Sequence, residues 1–425
     1  MQTALALKHA GCRVAVLSAE AVDGTNMYTR ALRAAGIPLY GPQPRLLALV
    51  DLAERGAQLC VLPLRVTMTP VIALARGLGL RAAWREAGQG FGWRVDWLTA
   101  RVRDAVVAGI TKAVARRFGP DVVQITGPWS RVLLSWAAAS DYCFVYCESE
   151  EPQYRGETWQ WLTGLLRRAD AIIASSVPLA RQLAARFGPF PVSVSIVPHA
   201  ARAPLSASAL HDHERVGPDV TVGSLGRLDS KKGHRYLVAA MQHVVREEPA
   251  IRLLLGGDGA ETERLKQQVS SSGLDHHVML LGVVPRDELT SFMAELDIFV
   301  MPSLQEGFGI ALVEAMAHGK AVIASNVGGM AATVDHGVNG LLVPPADSRA
   351  LAEAILLLVR DGGLRRRLGE QARRDYEERY APSVVIEKLL DVYRHALARR
   401  AGGCRAVSTP REPDAAWSAG GEMMP

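Results

Sequence analysis

No run of the 425-residue chain approaches the roughly 18 consecutive apolar residues that a membrane-spanning helix needs. The apolar stretch in the opening MQTALALKHAGCRVAVL is also too short for a secretory leader and ends in no cleavage site, so the expectation is a cytoplasmic protein. Disulfides are lacking as well. Five cysteines are an odd number, and Cys143 and Cys147 fall in one apparent strand, where four residues span about 13 Å against the roughly 7 Å or less that a bridge allows. They read as reduced, buried thiols. There is no Asp-x-Asp and no cluster of His, Cys and carboxylates at ligand spacing, so no metal site is read. No G-x-G-x-x-G follows the first strand of either half, which removes the dinucleotide fingerprint.

What remains is a soluble globular composition, 49% hydrophobic and 21% charged, on a chain long enough for two cores. Charge is unevenly shared. Residues 1–200 hold 22 Lys and Arg against 14 Asp and Glu, a net +8, and the rest holds 26 against 29, a net −3. A basic half steers toward acidic lipid surfaces, phosphorylated acceptors or nucleic acid, although an Arg-rich solvated surface accounts for it equally well.

Short apolar runs alternate with amphipathic helical patterns throughout, the mark of parallel α/β sheets. In the first half, strands are expected at 14–19, 59–64, 80–84, 121–126, 144–147 and 171–175, with helices at 101–118 and 159–168. The segment ARAPLSASALHDHERVGPD, residues 201–219, has no period and reads as the linker between a first domain of residues 1–200 and a second of residues 220–380. Within the second, strands are expected at 220–225, 251–255, 278–281, 296–302 and 321–325. Helices are expected at 236–247, 261–271, 287–296, 310–317, 350–359 and 364–379, with a turn at 335–340. A last amphipathic helix covers 383–399 within a 381–400 segment, and 401–425 reads as a disordered tail. A doubly wound domain normally opens on its central strand and a glycine turn, yet nothing of that kind precedes Val14.

Four strand ends of the second domain carry chemistry. GSLGRLDSKKG places Arg227 and Lys232 on a glycine-flexed loop suited to a diphosphate, or to plain solvent exposure. GGDG at 256–259, with Gly257, offers a turn bare of side chains, and VGGM at 327–330 reads alone as an ordinary strand-to-helix turn. The richest is LDIFVMPSLQEGFGIALVEAMAHGKAVIASN, residues 296–326, with two carboxylates, Glu306 in the loop and Glu314 as the one charge of an apolar helix. A carboxylate placed there costs several kcal/mol unless a cation or a ligand hydroxyl meets it. The glycine-flanked helix start offers backbone N–H groups and the positive end of the dipole.

The order GRLDSKKG, LLLGGDG, SLQEGFGIALVEAMAHGKAVIAS, VGG and HGVNGLLVPP resembles the nucleotide-sugar half of the family 4 retaining glycosyltransferases, glycosyltransferases group 1, over residues 220–400; residues 1–200 resemble them only in outline. The resemblance implies the GT-B fold, two Rossmann-like doubly wound domains facing across a cleft. The first lacks its opening strand, and the last helix crosses back to it. It implies a nucleoside-diphosphate sugar as donor substrate, with no further cofactor and no metal. Arg227 and Lys232 would hold the diphosphate, Glu306 would lie near the donor sugar, the backbone of Phe308, Gly309 and Ile310 would read its hydroxyls, and Glu314 would bond the ribose. The acceptor would be a glycan or a lipid-linked glycan for cell-surface polysaccharide or glycolipid synthesis, met in peripheral contact with the inner membrane face, with no nucleic acid partner.

The chain departs from the family where relatives carry a cleft histidine: the strand ends at 62–68 and 124–130 have none, and His199 reads as a hinge-side residue. His234 and His318 read as structural. Trp84, Trp93, Trp97, Trp129, Trp159 and Trp161 read as packing residues or as an acceptor platform. Two other readings stay open, a related epimerase or phosphorylase of the same architecture, and a catalytically impaired sugar-nucleotide-binding or partner-binding protein.

Overall fold

The computed structural model describes residues 119–127, 131–149, 157–188, 192–201 and 220–401, with residues 16–17, 39–40, 113, 115–116 and 190 besides. The strands expected at 59–64 and 80–84, most of the helix expected at 101–118, the linker from 202, the tail from 402 and Trp84, Trp93, Trp97 and Trp129 lie outside the described residues. The chain divides into two compact units.

The first unit contains a parallel pair, β1 (Val16–Leu17) and β2 (Leu39–Tyr40), with Val16 opposite Leu39. Of the strand expected at 14–19, Val16 and Leu17 are described and form β1; a strand at 39–40 was not expected. Further along the chain, the unit also holds the helix α1 (Arg131–Ala139).

The second unit contains two parallel sheets. One has the order β3 (Val122–Thr126), β4 (Cys143–Glu148), β5 (Ala171–Ala174), β6 (Val194–Ile196). Every residue of β4 and β5 is buried, so both faces are covered and the strands read as continuous apolar runs without alternation. Helix α2 (Glu157–Leu166) connects β4 to β5 and α3 (Val177–Phe187) connects β5 to β6. The α3 start is explained locally: Ser176 caps it, accepting from the Leu179 amide, and a proline stands in its first turn. Cys143 and Cys147 are free and buried in β4, and burial pushes their thiols up to about 11 and about 12.

The second sheet follows β7 (Thr221–Leu225), α4 (His234–Glu247), β8 (Arg252–Gly256), α5 (Thr262–Ser271), β9 (Val278–Gly282), α6 (Leu289–Ala294), β10 (Ile298–Met301), α7 (Ile310–Ala317), β11 (Ala321–Ser325), α8 (Gly328–Thr333) and β12 (Leu341–Val343). Helices α9 (Ser348–Arg360), α10 (Gly362–Arg379) and α11 (Pro382–Ala401) complete the chain. The spatial order is β12-β11-β10-β7-β8-β9, so the first strand of the sheet pairs with the second on one side and the fourth on the other. This is the doubly wound order, with its switch point between β7 and β10. A buried core lies on each face, one built on Val222, Leu253, Val300 and Ile323 and the other on Phe299, Leu312, Val322 and Met330.

Beyond the sheet, the Tyr376 hydroxyl donates to the Ala201 carbonyl at 2.9 Å, and the Ala201 amide meets the Tyr380 carbonyl at 3.4 Å. Helix α11 then runs along the other sheet: Tyr393 donates to Gln124 at 2.7 Å, and Arg400 pairs with Asp170 at 2.8 Å. Among the described residues, no helix is long and apolar enough to cross a membrane.

Candidate functional site

The loops that leave β7 and β10 at the switch point meet. The β7 loop is shaped by Asp229, whose carboxylate accepts from the Lys231 and Lys232 amides at 3.1 and 3.2 Å and caps a short 3-10 turn, Ser230–Lys232. The same carboxylate pairs with Arg227 at 3.0 Å, leaving that guanidinium 76% exposed. Lys232 reaches across 74 residues of sequence to Glu306 in the β10 loop, with Nζ 2.5 Å from Oε2 and side chains only 21% and 13% exposed. The backbones are joined too, since the Leu304 amide donates to the Lys231 carbonyl at 2.7 Å. Sequence reasoning assigned Lys232 to a diphosphate and Glu306 to a sugar separately; the structure brings them into one ion pair.

The β8 loop closes on the β7 loop. Leu228 donates to the Asp258 carbonyl at 3.0 Å, and Gly226 donates to that of Gly256 at 3.0 Å. Gly257 has φ 140°, and a Cβ there would stand 1.8 Å from the Gly226 oxygen. The bare turn thus serves first to let two loop backbones touch. On the far side, Gly329 of α8 donates to the Glu306 carbonyl at 3.0 Å, and a Cβ on it would lie 2.4 Å from the Gly307 oxygen. VGGM is the strand-to-helix turn that the sequence suggests, and it is also the contact face on which the β10 loop rests.

Gly309, in the left-handed region, begins α7 without a side-chain cap, and Ile310 beside it is 38% exposed. A Cβ on Gly309 would lie 3.6 Å from Glu306 Cγ, so the backbone N–H groups and positive end of this helix start beside the carboxylate that Lys232 meets. Phe308 turns inward, 3% exposed, and its ring meets His199 edge-on at 5.2 Å and Tyr380 at 5.9 Å. Glu314 lies in the second turn of α7, 5% exposed. Burial pushes the Tyr376 hydroxyl up to about 12, the Arg373 cation opposing the effect and the Glu377 and Glu314 charges adding to it.

Burial holds His199 and His234 down at about 4, the Lys232 cation adding to the effect at His234, so both imidazoles are neutral near pH 7. His318 is likewise held low by burial, with Nδ1 2.7 Å from the Glu314 carbonyl. Sequence reasoning missed three residues that shape the site. Asp229 was legible as a cap just before Ser-Lys-Lys-Gly, and Ser176 as a cap before Val-Pro. The contact of His199 with Phe308 left no signal in the sequence. Among the described residues, no three His, Cys, Asp or Glu gather as for a metal ion.

Residues 210–375 match the family model described as glycosyl transferases group 1. A phosphatidyl-myo-inositol mannosyltransferase of Mycobacterium leprae is 38% identical over 193 residues, 44% of this chain and 49% of that protein. An uncharacterized glycosyltransferase of Methanocaldococcus jannaschii is 33% identical over 173 residues, 41% of this chain and 44% of the other. The matched region thus spans about half or less of the length of these curated relatives. In structure, Anabaena HepE, solved in complex with UDP and glucose, superposes with a TM-score of 0.66 at 20% identity, over 92% of this chain and 94% of that one. Sucrose-phosphate synthase from Thermosynechococcus elongatus superposes with a TM-score of 0.67 at 21% identity, over 93% and 92%. Residues 210–375 thus match the group 1 glycosyltransferases, and the two parallel sheets have the GT-B fold.

Proposed function

We propose that this protein moves a sugar from a nucleoside-diphosphate sugar to an acceptor hydroxyl with retention of configuration. The observation that carries the reading is the meeting of Lys232, Glu306 and the uncapped start of α7 at the switch point of a doubly wound sheet, the place where such sheets bind ligands. The diphosphate would lie between Arg227, Lys232 and the N–H groups of Gly309 and Ile310, with the base end along Gly257 and the ribose at Glu314. In the transfer, the bond from the anomeric carbon to the diphosphate oxygen breaks as the acceptor oxygen bonds to the same face, and the acceptor proton passes to the departing phosphate. Negative charge grows on the diphosphate, where the two cations and the helix end stabilise it. Lys232 must leave Glu306 for the phosphate, which frees that carboxylate to face the sugar.

The UDP and glucose held by HepE make UDP-glucose the first donor to test. The basic excess of residues 1–200 supports an anionic or lipid-linked glycan acceptor met at the inner membrane face, in cell-surface polysaccharide or glycolipid synthesis. The test is a thermal-shift panel of uridine, guanosine and adenosine diphosphate sugars, followed by NMR of the anomeric centre of the product. One donor family should stabilise the wild type, and Lys232→Ala should lose that shift. No stabilisation by any of the three, or an unchanged shift in Lys232→Ala, would overturn the reading.

A further inference from the structure

We infer that Ser176, on the first-sheet side of the second unit, is a positioning residue for the Glu306 loop. The inference rests on the proposed donor site. Ser176 stands at the carboxyl end of β5, 6% exposed, and its Oγ does two things at once. It accepts from the Leu179 amide at 3.4 Å, which caps α3, and it donates to the Gly307 carbonyl at 3.0 Å, 131 residues further along the chain. Capping needs only an acceptor. The second bond needs the hydroxyl proton, and a cap such as Gly supplies none.

Its target explains why that bond matters. Gly307 follows Glu306, whose own carbonyl accepts from Gly329 of α8 at 3.0 Å. Two consecutive carbonyls are thus held, one by a backbone amide of the second sheet's layer and one by a side chain of the first sheet's layer. Helix α3 packs on α8, so both supports come from one packed pair. The Gly329 bond fixes the peptide plane between Glu306 and Gly307 and the Ser176 bond fixes the next one, between Gly307 and Phe308, so the backbone on both sides of Gly307 has one orientation, and so has the direction in which the Glu306 side chain leaves it. That direction sets its 2.5 Å contact with Lys232 and the approach of Phe308 and Gly309 to the ligand side. Release of the Gly307 carbonyl frees the plane between Gly307 and Phe308 and leaves Glu306 held from one side only, and a misplacement of about 1 Å at a reacting group costs up to a hundredfold in rate.

The two jobs of the hydroxyl separate by substitution in the full-length chain. Ser176→Gly keeps most of the capping stability and loses the donor, Ser176→Thr keeps both, and Ser176→Ala loses both. In steady-state kinetics with the donor found by the thermal-shift panel, Ser176→Gly should lower kcat tenfold or more with KM for the donor within about twofold, while Ser176→Thr stays near wild type. Wild-type kcat in Ser176→Gly, or equal loss in Ser176→Thr, would overturn the inference. Hydrogen exchange at the amides of residues 307–310 supplies a readout that needs no substrate: it should quicken about tenfold or more in Ser176→Gly and not in Ser176→Thr. Equal exchange in wild type and Ser176→Gly would also overturn it, whatever donor the protein takes. A wild type that binds no nucleotide sugar but shows the exchange difference would instead sink the proposed function and leave the positioning role standing.

Discussion

Removing the Lys232 ammonium leaves Glu306 as a carboxylate whose side chain is 13% exposed, and removing Glu306 leaves an ammonium 21% exposed. At an effective dielectric constant of about 20, charges roughly 3 Å apart attract by about 5 kcal/mol, and most of that is offset by the solvation each group gave up and the freedom it lost. A net coupling of about 1–3 kcal/mol follows. Lys232→Met and Glu306→Gln should each lower the melting temperature by several degrees, on the scale of roughly 2–4 °C per kcal/mol for a domain of this size. The double variant should recover part of the loss. The assay is a double-mutant cycle by thermal and urea unfolding, repeated with saturating nucleoside diphosphate. In the proposed binding mode the diphosphate competes for Lys232, so the coupling should shrink when it is bound. Additive single effects without ligand, within about 0.3–0.5 kcal/mol, would refute the ion pair as a structural link, and a coupling unmoved by the diphosphate would refute the exchange of partners.

Three other outcomes are expected. Gly257→Ala should fail at its loop, because φ 140° and the Gly226 oxygen 1.8 Å from the added carbon leave nowhere to go; a loss of about 2–4 kcal/mol in unfolding and of nucleotide-sugar stabilisation is expected, and an unchanged melting curve would count against the loop contact. His234 has an ordinary value of 6.5 and a folded value of about 4, so its neutral form favours the folded chain fully above pH 6.5 and that stability is lost as pH falls toward 4, about 2 kcal/mol by pH 5. The melting temperature of His234→Gln should therefore fall less steeply between pH 7 and 5 than that of wild type, and parallel curves would refute the assignment. Tyr376→Phe removes the buried bond to the Ala201 carbonyl and should cost about 1–2 kcal/mol, read as a lowered urea midpoint at unchanged slope; no shift would show that water replaces the hydroxyl.

Sequence pattern reached most of the second sheet closely, because most of its strands are apolar runs and two of its helices, α5 and α7, are followed within two residues by the left-handed glycines Gly273 and Gly319. The α7 helix and β11 have the expected bounds, 310–317 and 321–325. Strands of three residues, β6 and β12, are shorter than any pattern can mark, and α1, RVLLSWAAA, has no charged face after its first residue to reveal a helical period. At the site, residue types were legible in each loop, but partnership was not. Lys232 meets Glu306 because β10 lies beside β7, a consequence of strand order, and strand order is written in no local stretch. The contacts of His199 and Ser176 with the Glu306–Gly309 loop have the same origin: each joins residues more than a hundred positions apart through the packing of two sheets.

Helix α11 has a consequence for how the protein is made. Its Tyr393 and Arg400 bond to Gln124 and Asp170, so the sheet that ends with β6 at Ile196 receives its last layer only when the chain has been synthesised to its 401st residue. At roughly 5–20 residues per second, about 200 residues of translation separate the two events, a wait of about 10–40 s. During that time Gln124 and Asp170 are without Tyr393 and Arg400, and the ribosome is still building the half of the molecule that carries the proposed donor loops. Expression of the early residues alone would leave that state permanent, whereas supplying residues 382–401 as a separate peptide would end it.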